Sequence, residues 1–171
     1  MTGMASQLSK GEPFAWEQLY DATADQLFHY LSVLAGDQDA AAEILQETFV
    51  RLFRRRERLD SVNDLQAYVF TVARNEANRV LRNTKAANGD AMLAEFACWD
   101  LNRSRQEDIE LVQFALRELS RGEHEVVCLK VYSGFTFAQI ASILELPQGT
   151  CASRYRRALD KLKSRIQEQT Q

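Results

Sequence analysis

Apolar residues recur at spacings of three and four along most of the chain, and no stretch alternates apolar with polar residues as a half-buried strand does. The pattern predicts an all-α protein. A first helix is predicted over about 13 to 35, with Phe14, Leu19, Leu27, Leu31 and Leu34 among its apolar positions. Gly36 and Asp37 end it, Gly as a left-handed cap and Asp as the cap of the next helix. The second helix, over about 38 to 58, carries Leu45, Phe49, Leu52 and Phe53 in one stripe, the width of a core face at 100° per residue. Ile44 and Val50 fall outside that stripe, among Glu43, Glu47, Thr48, Arg51 and Arg54. Apolar groups placed there imply a second buried face, against a neighbouring helix or a protein partner.

A third helix is predicted over about 63 to 82, with Val69, Phe70, Ala73, Ala77, Val80 and Leu81 as its core stripe. Thr71, Asn75, Asn78 and Arg82 line its opposite side, with Tyr68 and Arg74 at the margins. From 83 to about 105 the periodicity breaks, and Asn, Gly and Asp mix with isolated large apolars; this reads as a linker between two small helical domains. Met92, Leu93, Phe96 and Trp99 are too apolar for a freely solvated tether. Helices follow at about 107 to 119 and 122 to 132. Then Thr136 caps a short helix whose Phe137, Ile140, Ala141 and Leu144 face inward, and a tight turn at Glu145 and Leu146 leads to Pro147, which suits a helix start. The last helix sets Tyr155, Ala158, Leu159, Leu162 and Ile166 inward.

Charge changes this picture locally rather than globally. The formal net charge is −3, so no overall attraction to nucleic acid is expected and local clusters must supply any. There are two, at 51 to 58 (RLFRRRER) and at 147 to 165 (PQGTCASRYRRALDKLKSR). The plain meaning of each is a solvated helix face. No apolar run is long enough to span a bilayer and no secretory leader stands at the start, so a cytoplasmic protein without membrane insertion is expected. Cys98, Cys128 and Cys151 are widely spaced and odd in number, which suits buried reduced thiols better than a disulfide frame. With only two histidines beside them, no metal site, cofactor or catalytic acid–base pair is expected.

Two short helices joined by a tight turn, the second basic, form the helix-turn-helix pattern. The first turns of a reading helix point at base edges, so small and polar residues belong there; Gln148, Gly149, Thr150, Ala152 and Ser153 meet that demand. Arg154 and Arg157 then reach guanine edges or phosphates, and Arg156, Lys161 and Lys163 are placed as phosphate anchors. A structural helical hairpin is the alternative reading of the same pattern.

The segments DAAAEILQETFVRLF, LQAYVFTVARNEANRVLR and EVVCLKVYSGFTFAQIASILELPQGTCASRYRRAL resemble, in order, the extracytoplasmic-function (ECF) group of the sigma-70 family of bacterial RNA polymerase sigma factors. The resemblance implies that residues 10–83 are the region-two domain, 84–106 the linker and 107–168 the region-four domain. It implies core RNA polymerase as partner, through the β′ clamp helices and the β subunit, together with promoter DNA and an anti-sigma factor. Carried over, Ile44, Gln46, Glu47, Val50, Arg51 and Arg54 become polymerase contacts. The loop 56 to 64 and the helix after it resemble the elements that open the minus-ten element, with Tyr68, Arg74, Asn75, Asn78 and Arg82 as candidates. Gln148, Thr150, Ser153, Arg154, Arg156, Arg157 and Lys161 would read or anchor the minus-thirty-five duplex. The chain departs from the family's pattern at Glu145, where Gly is usual, and at Cys151 and Ala152, where a β-branched residue and Lys are usual. A polymerase-independent helix-turn-helix regulator and a sigma-like protein that titrates a partner are the competing readings.

Overall fold

Pro13, which has no N–H to leave unpaired, stands at the start of a long apolar helix of the N-terminal half, and Gly36 ends that helix in the left-handed region (φ 67°, ψ 13°). The Gly36 N–H donates to the Ser32 carbonyl at 2.8 Å, and the Asp37 carboxylate accepts from the Ala40 N–H at 2.9 Å to start the next helix. The expected boundary is therefore built from the two residues that announced it. The computed structural model describes residues 2–88, 116 and 118–169, and the chain divides into two units, Met1–Ala94 and Glu95–Gln171.

The first unit contains α1 (Thr2–Lys10), α2 (Pro13–Ala35), α3 (Gln38–Arg54), a 3-10 turn (Arg56–Ser61) and α4 (Leu65–Asn88). Helices α2, α3 and α4 pack mutually, and α1 lies on the 3-10 turn. Leu8 and Leu59 are fully buried in that contact, each stabilising it by roughly 1.5–3 kcal/mol. The short α1 was not expected from sequence, since only Ala5 and Leu8 face the core. Tyr30 and Phe70 meet in the centre with ring centroids 5.5 Å apart. Helix α4 starts two residues later than the pattern suggests, because Asp64 caps it by accepting from the Ala67 N–H at 3.0 Å. It also runs on to Asn88, so the first residues of the expected linker are helical. The rest of that linker, with Met92, Leu93, Phe96 and Trp99, and most of the helix expected at 107 to 119, lie outside the described residues.

The second unit contains α5 (Arg121–Val127), a wide π turn (Cys128–Tyr132), α6 (Phe137–Leu144) and α7 (Gln148–Gln169). Among the described residues there is no strand. Ser120 and Glu123 form a capping box at α5, and Thr136 and Gln139 form another at α6. Leu116, Leu119, Val127 and Ala158 make one buried cluster, with Tyr155 and Leu162 against it. Leu159 and Ile166, expected inside, are 43% and 37% exposed. The inward stripe of α7 is narrower than its apolar content: Cys151 and Ala158 are buried on it, and Tyr155 and Leu162 are half-buried.

Candidate nucleic-acid and partner interfaces

The turn between α6 and α7 sets the pose of the basic helix. Glu145 sits in the left-handed region (φ 54°, ψ 44°), as the tight turn requires, and its N–H and that of Leu146 both donate to the Ala141 carbonyl. Pro147 then offers its carbonyl to the Thr150 and Cys151 N–H groups and opens α7. Cys151 and Ala158 are buried and fix the inner face. Gln148, Gly149, Arg156 and Arg157 are exposed, while Thr150, Ser153 and Arg154 are half-buried. The Ser153 hydroxyl donates to the Thr150 carbonyl at 3.0 Å, and Arg157 Nε lies 3.4 Å from the Ser153 carbonyl.

Two cations of α7 turn back onto α5. Lys161 Nζ donates to the nearly buried Glu123 carboxylate at 2.8 Å, so in the free protein it cross-links two helices instead of standing ready as a phosphate anchor. Burial opposes ionisation of Glu123, but hydrogen bonds from Lys161 and from the Ser120 N–H and hydroxyl outweigh it and hold the carboxyl below its ordinary value. Arg154 lies across Gly122: a Cβ there would stand 2.8 Å from Arg154 Nη1. Phe137 and Tyr155 pack edge to face at 5.6 Å, and Lys130 Nζ sits 5.1 Å above the Phe137 ring.

On α4, Asn75 and Arg82 are exposed and Tyr68, Arg74 and Asn78 half-buried, so the five residues expected at the minus-ten element all reach the surface of one helix. Glu76 beside them is fully buried, and it pairs with Arg79 at 3.0 Å and with Arg51 of α3. This carboxylate was missed, although an acid flanked by Ala73 and Ala77 on a core stripe signals a buried cation partner. Arg51, a proposed polymerase contact, is thus committed to a structural ion pair in the free protein.

Helix α3 brings a second correction. Ala41, Ile44, Leu45, Thr48 and Leu52 are its buried positions, a stripe rotated by roughly 70° from the one its large apolars define, at 100° per residue. Ile44 is only 2% exposed and belongs to the core, not to a partner surface. The cause is that α3 packs between α2 and α4, and small Ala41 and Thr48 admit the closer approach. Phe53, expected inside, is 46% exposed. It stacks edge to face on Trp16 at 5.2 Å, Phe49 meets Tyr20 at 4.9 Å, and Arg56 lies over Phe53 at 4.9 Å. These rings and Val50, itself 41% exposed, line an open groove of about 660 Å³ with Arg54 at its edge. Gln46 is exposed and Glu47 half-buried on the same helix.

Cys128 and Cys151 are free and buried, and desolvation raises both thiols, with Glu125 adding to the rise at Cys128; Cys98 lies outside the described residues. Among the described residues no group of His, Cys, Asp and Glu is placed to hold a metal ion, and no helix is long and apolar enough to cross a membrane.

The family model for Sigma-70 region 2 matches residues 19–87, and that for Sigma-70, region 4, matches residues 109–162. The chain is 31% identical over 156 residues to the ECF RNA polymerase sigma factor SigL of Mycobacterium tuberculosis, covering 88% of each chain. It is 24% identical over 161 residues to the RNA polymerase sigma factor CarQ of Myxococcus xanthus, covering 92% of each. The sigma factor RpoE of Bartonella quintana, solved with the anti-sigma factor NepR, has a similar fold: TM-score 0.73 at 24% identity, covering 88% of this chain and 96% of that one. CnrH, solved with the cytosolic domain of CnrY, gives a TM-score of 0.70 at 20% identity over 98% and 97% of the two chains. With both regions matched in order on two helical units, the chain belongs to the ECF sigma factors of the sigma-70 family.

Proposed function

We propose that this chain gives RNA polymerase its promoter specificity as a dissociable initiation factor. Residues 10–83 bind core polymerase and the minus-ten element, 84–106 tether, and 107–168 bind the minus-thirty-five element. Its place of work is the cytoplasm, where core polymerase and promoter DNA are found. The observation that carries the reading is α7, which is anchored by Cys151, Ala158 and the Lys161–Glu123 pair yet leaves Gln148, Arg156 and Arg157 in solvent. A helix held on one side and basic on the other is what major-groove reading needs.

Gln46, Glu47, Val50 and Arg54 carry the polymerase contact, with Ile44 confined to the core beneath them. Tyr68, Arg74, Asn75, Asn78 and Arg82 hold the opened minus-ten strand, where an unstacked base needs a pocket and cations need to track the backbone. Gln148, Thr150, Ser153, Arg154, Arg156 and Arg157 face the minus-thirty-five duplex. RpoE and CnrH were each solved with a second protein, and an anti-sigma factor is proposed as this chain's other partner.

The test is capture of bacterial core polymerase by the purified protein, followed by run-off transcription from a promoter library. Bound polymerase and promoter-specific transcripts are expected; binding without transcripts favours a titrating protein, and no binding favours an autonomous helix-turn-helix regulator. Val50→Asp separates contact from fold. Because Val50 is 41% exposed, the variant should keep its helical content while polymerase capture falls at least tenfold, on the order of the loss from a charge buried in an interface. Unfolding instead would show that Val50 supports the core.

A further inference from the structure

Gly122 stands in the first turn of α5, where glycine disfavours the helix and nothing about the turn requires a left-handed residue. Its missing side chain has one consequence in the second unit. The Arg154 guanidinium of α7 lies against the bare backbone there, and a Cβ at 122 would meet Nη1 at 2.8 Å, Cζ at 3.2 Å and Nε at 3.6 Å. Three atoms of one planar group at such distances mean that the guanidinium lies over the glycine. Two turns further along α7, Lys161 is tied to Glu123, the residue after Gly122. The start of α5 therefore holds two cations of α7, one through a carboxylate and one through the absence of a side chain.

We infer that Gly122 is a positioning residue for DNA reading: it makes room for Arg154 to lie in one pose, from which its guanidinium is presented to the minus-thirty-five duplex. The inference rests on the sigma-factor reading and goes beyond it, since Gly122 touches no DNA in that scheme. An arginine with four free torsions pays ordering entropy on binding, and one already held over a neighbouring backbone pays less. Arg154 half-buried against α5 is such a side chain, whereas Arg156 and Arg157 are exposed.

Gly122→Ala tests this, because the fold and the pose respond in opposite directions. Alanine favours the helix, and the atoms it meets are the far end of a flexible side chain, so the variant should melt no lower than the wild type while Arg154 is pushed aside. In an NMR spectrum the Arg154 Nε–H resonance should move more than those of Arg156 and Arg157. In polymerase holoenzyme competed between promoters that differ at single minus-thirty-five positions, Gly122→Ala and Arg154→Ala should lose selectivity at the same base pair. The loss expected for one base-reading contact is about five- to 150-fold. The double variant should be no worse than Arg154→Ala alone, since both changes act through one side chain.

Gly122→Ala with wild-type selectivity, where Arg154→Ala loses it, overturns this inference and leaves the function standing. Arg154→Ala with wild-type selectivity overturns it together with the assignment of Arg154 to DNA. A wild-type chain that captures no polymerase and directs no transcript overturns the parent reading and this one with it.

Discussion

Glu145 holds a backbone conformation that L-residues other than Asn and Asp seldom adopt, φ 54° and ψ 44°, at a cost of roughly 1–2 kcal/mol. Its side chain is exposed, so nothing buried offsets the strain. Glu145→Gly should therefore stabilise the second unit by about 0.5–1 kcal/mol, the strain relieved less the extra freedom glycine gains on unfolding. Urea unfolding followed at the ring resonances of Tyr155 and Phe137 reports on that unit alone; an unchanged or lower midpoint would mean that the Glu side chain supports the turn. The tight turn was legible in the sequence because Pro147, which suits a helix start, follows so soon after Leu144, the last inward residue of the preceding stripe. Ile44 was not legible in the same way. It falls outside the stripe of large apolars, between Thr48 and Arg51 on the helix surface, and its burial comes from α2 and α4 closing on both sides of α3, a tertiary fact that one helix's periodicity does not contain.

At the level of elements, the helix ends were legible wherever a cap residue announces them, at Gly36–Asp37 and at Thr136, and illegible where the decisive contact is distant in sequence. The tie between α5 and α7 is of the second kind: Lys161 read as one more cation on a basic helix, and only the fold sets it on Glu123. That tie makes acid sensitivity a property of the helix pair. The Glu123 carboxyl titrates below its ordinary value of 4.5 in the folded protein, so its contribution is fully present above about pH 4.5 and is lost as pH falls from there through the lower folded value. Lys161→Met removes the main donor and should lower stability at about pH 6, by no more than about 1 kcal/mol because Lys161 is itself half in solvent. The gap to the wild type should narrow progressively as pH falls below about 4.5, where the unfolded carboxyl and then the folded one are protonated. A gap that stays constant with pH would show that Lys161 acts through the packing of its alkyl stem.

The whole molecule carries a net charge of −3 and yet is proposed to work on DNA. Among the described residues several arginines and lysines are paired within their own unit, Arg51 and Arg79 with Glu76, Lys161 with Glu123 and Arg165 with Glu118. What remains exposed on α7, chiefly Arg156, Arg157 and Lys163, neutralises about three phosphates, which gives a shallow salt dependence of about −3 in log K against log salt. Such an affinity is of the non-specific order at physiological salt. Two weak contacts joined through a common partner act at a high effective concentration and gain on the order of 10²–10⁴ in avidity without any new contact. Fluorescence polarisation on a promoter duplex should accordingly show weak binding by the free chain and binding at least a hundredfold tighter once core polymerase is added. Arg156→Ala should reduce the salt slope of the free chain by about one without changing its sequence preference, as befits a phosphate contact. Tight, polymerase-independent binding with a steep slope would contradict the charge inventory, and it would move the chain from an initiation factor to an autonomous regulator.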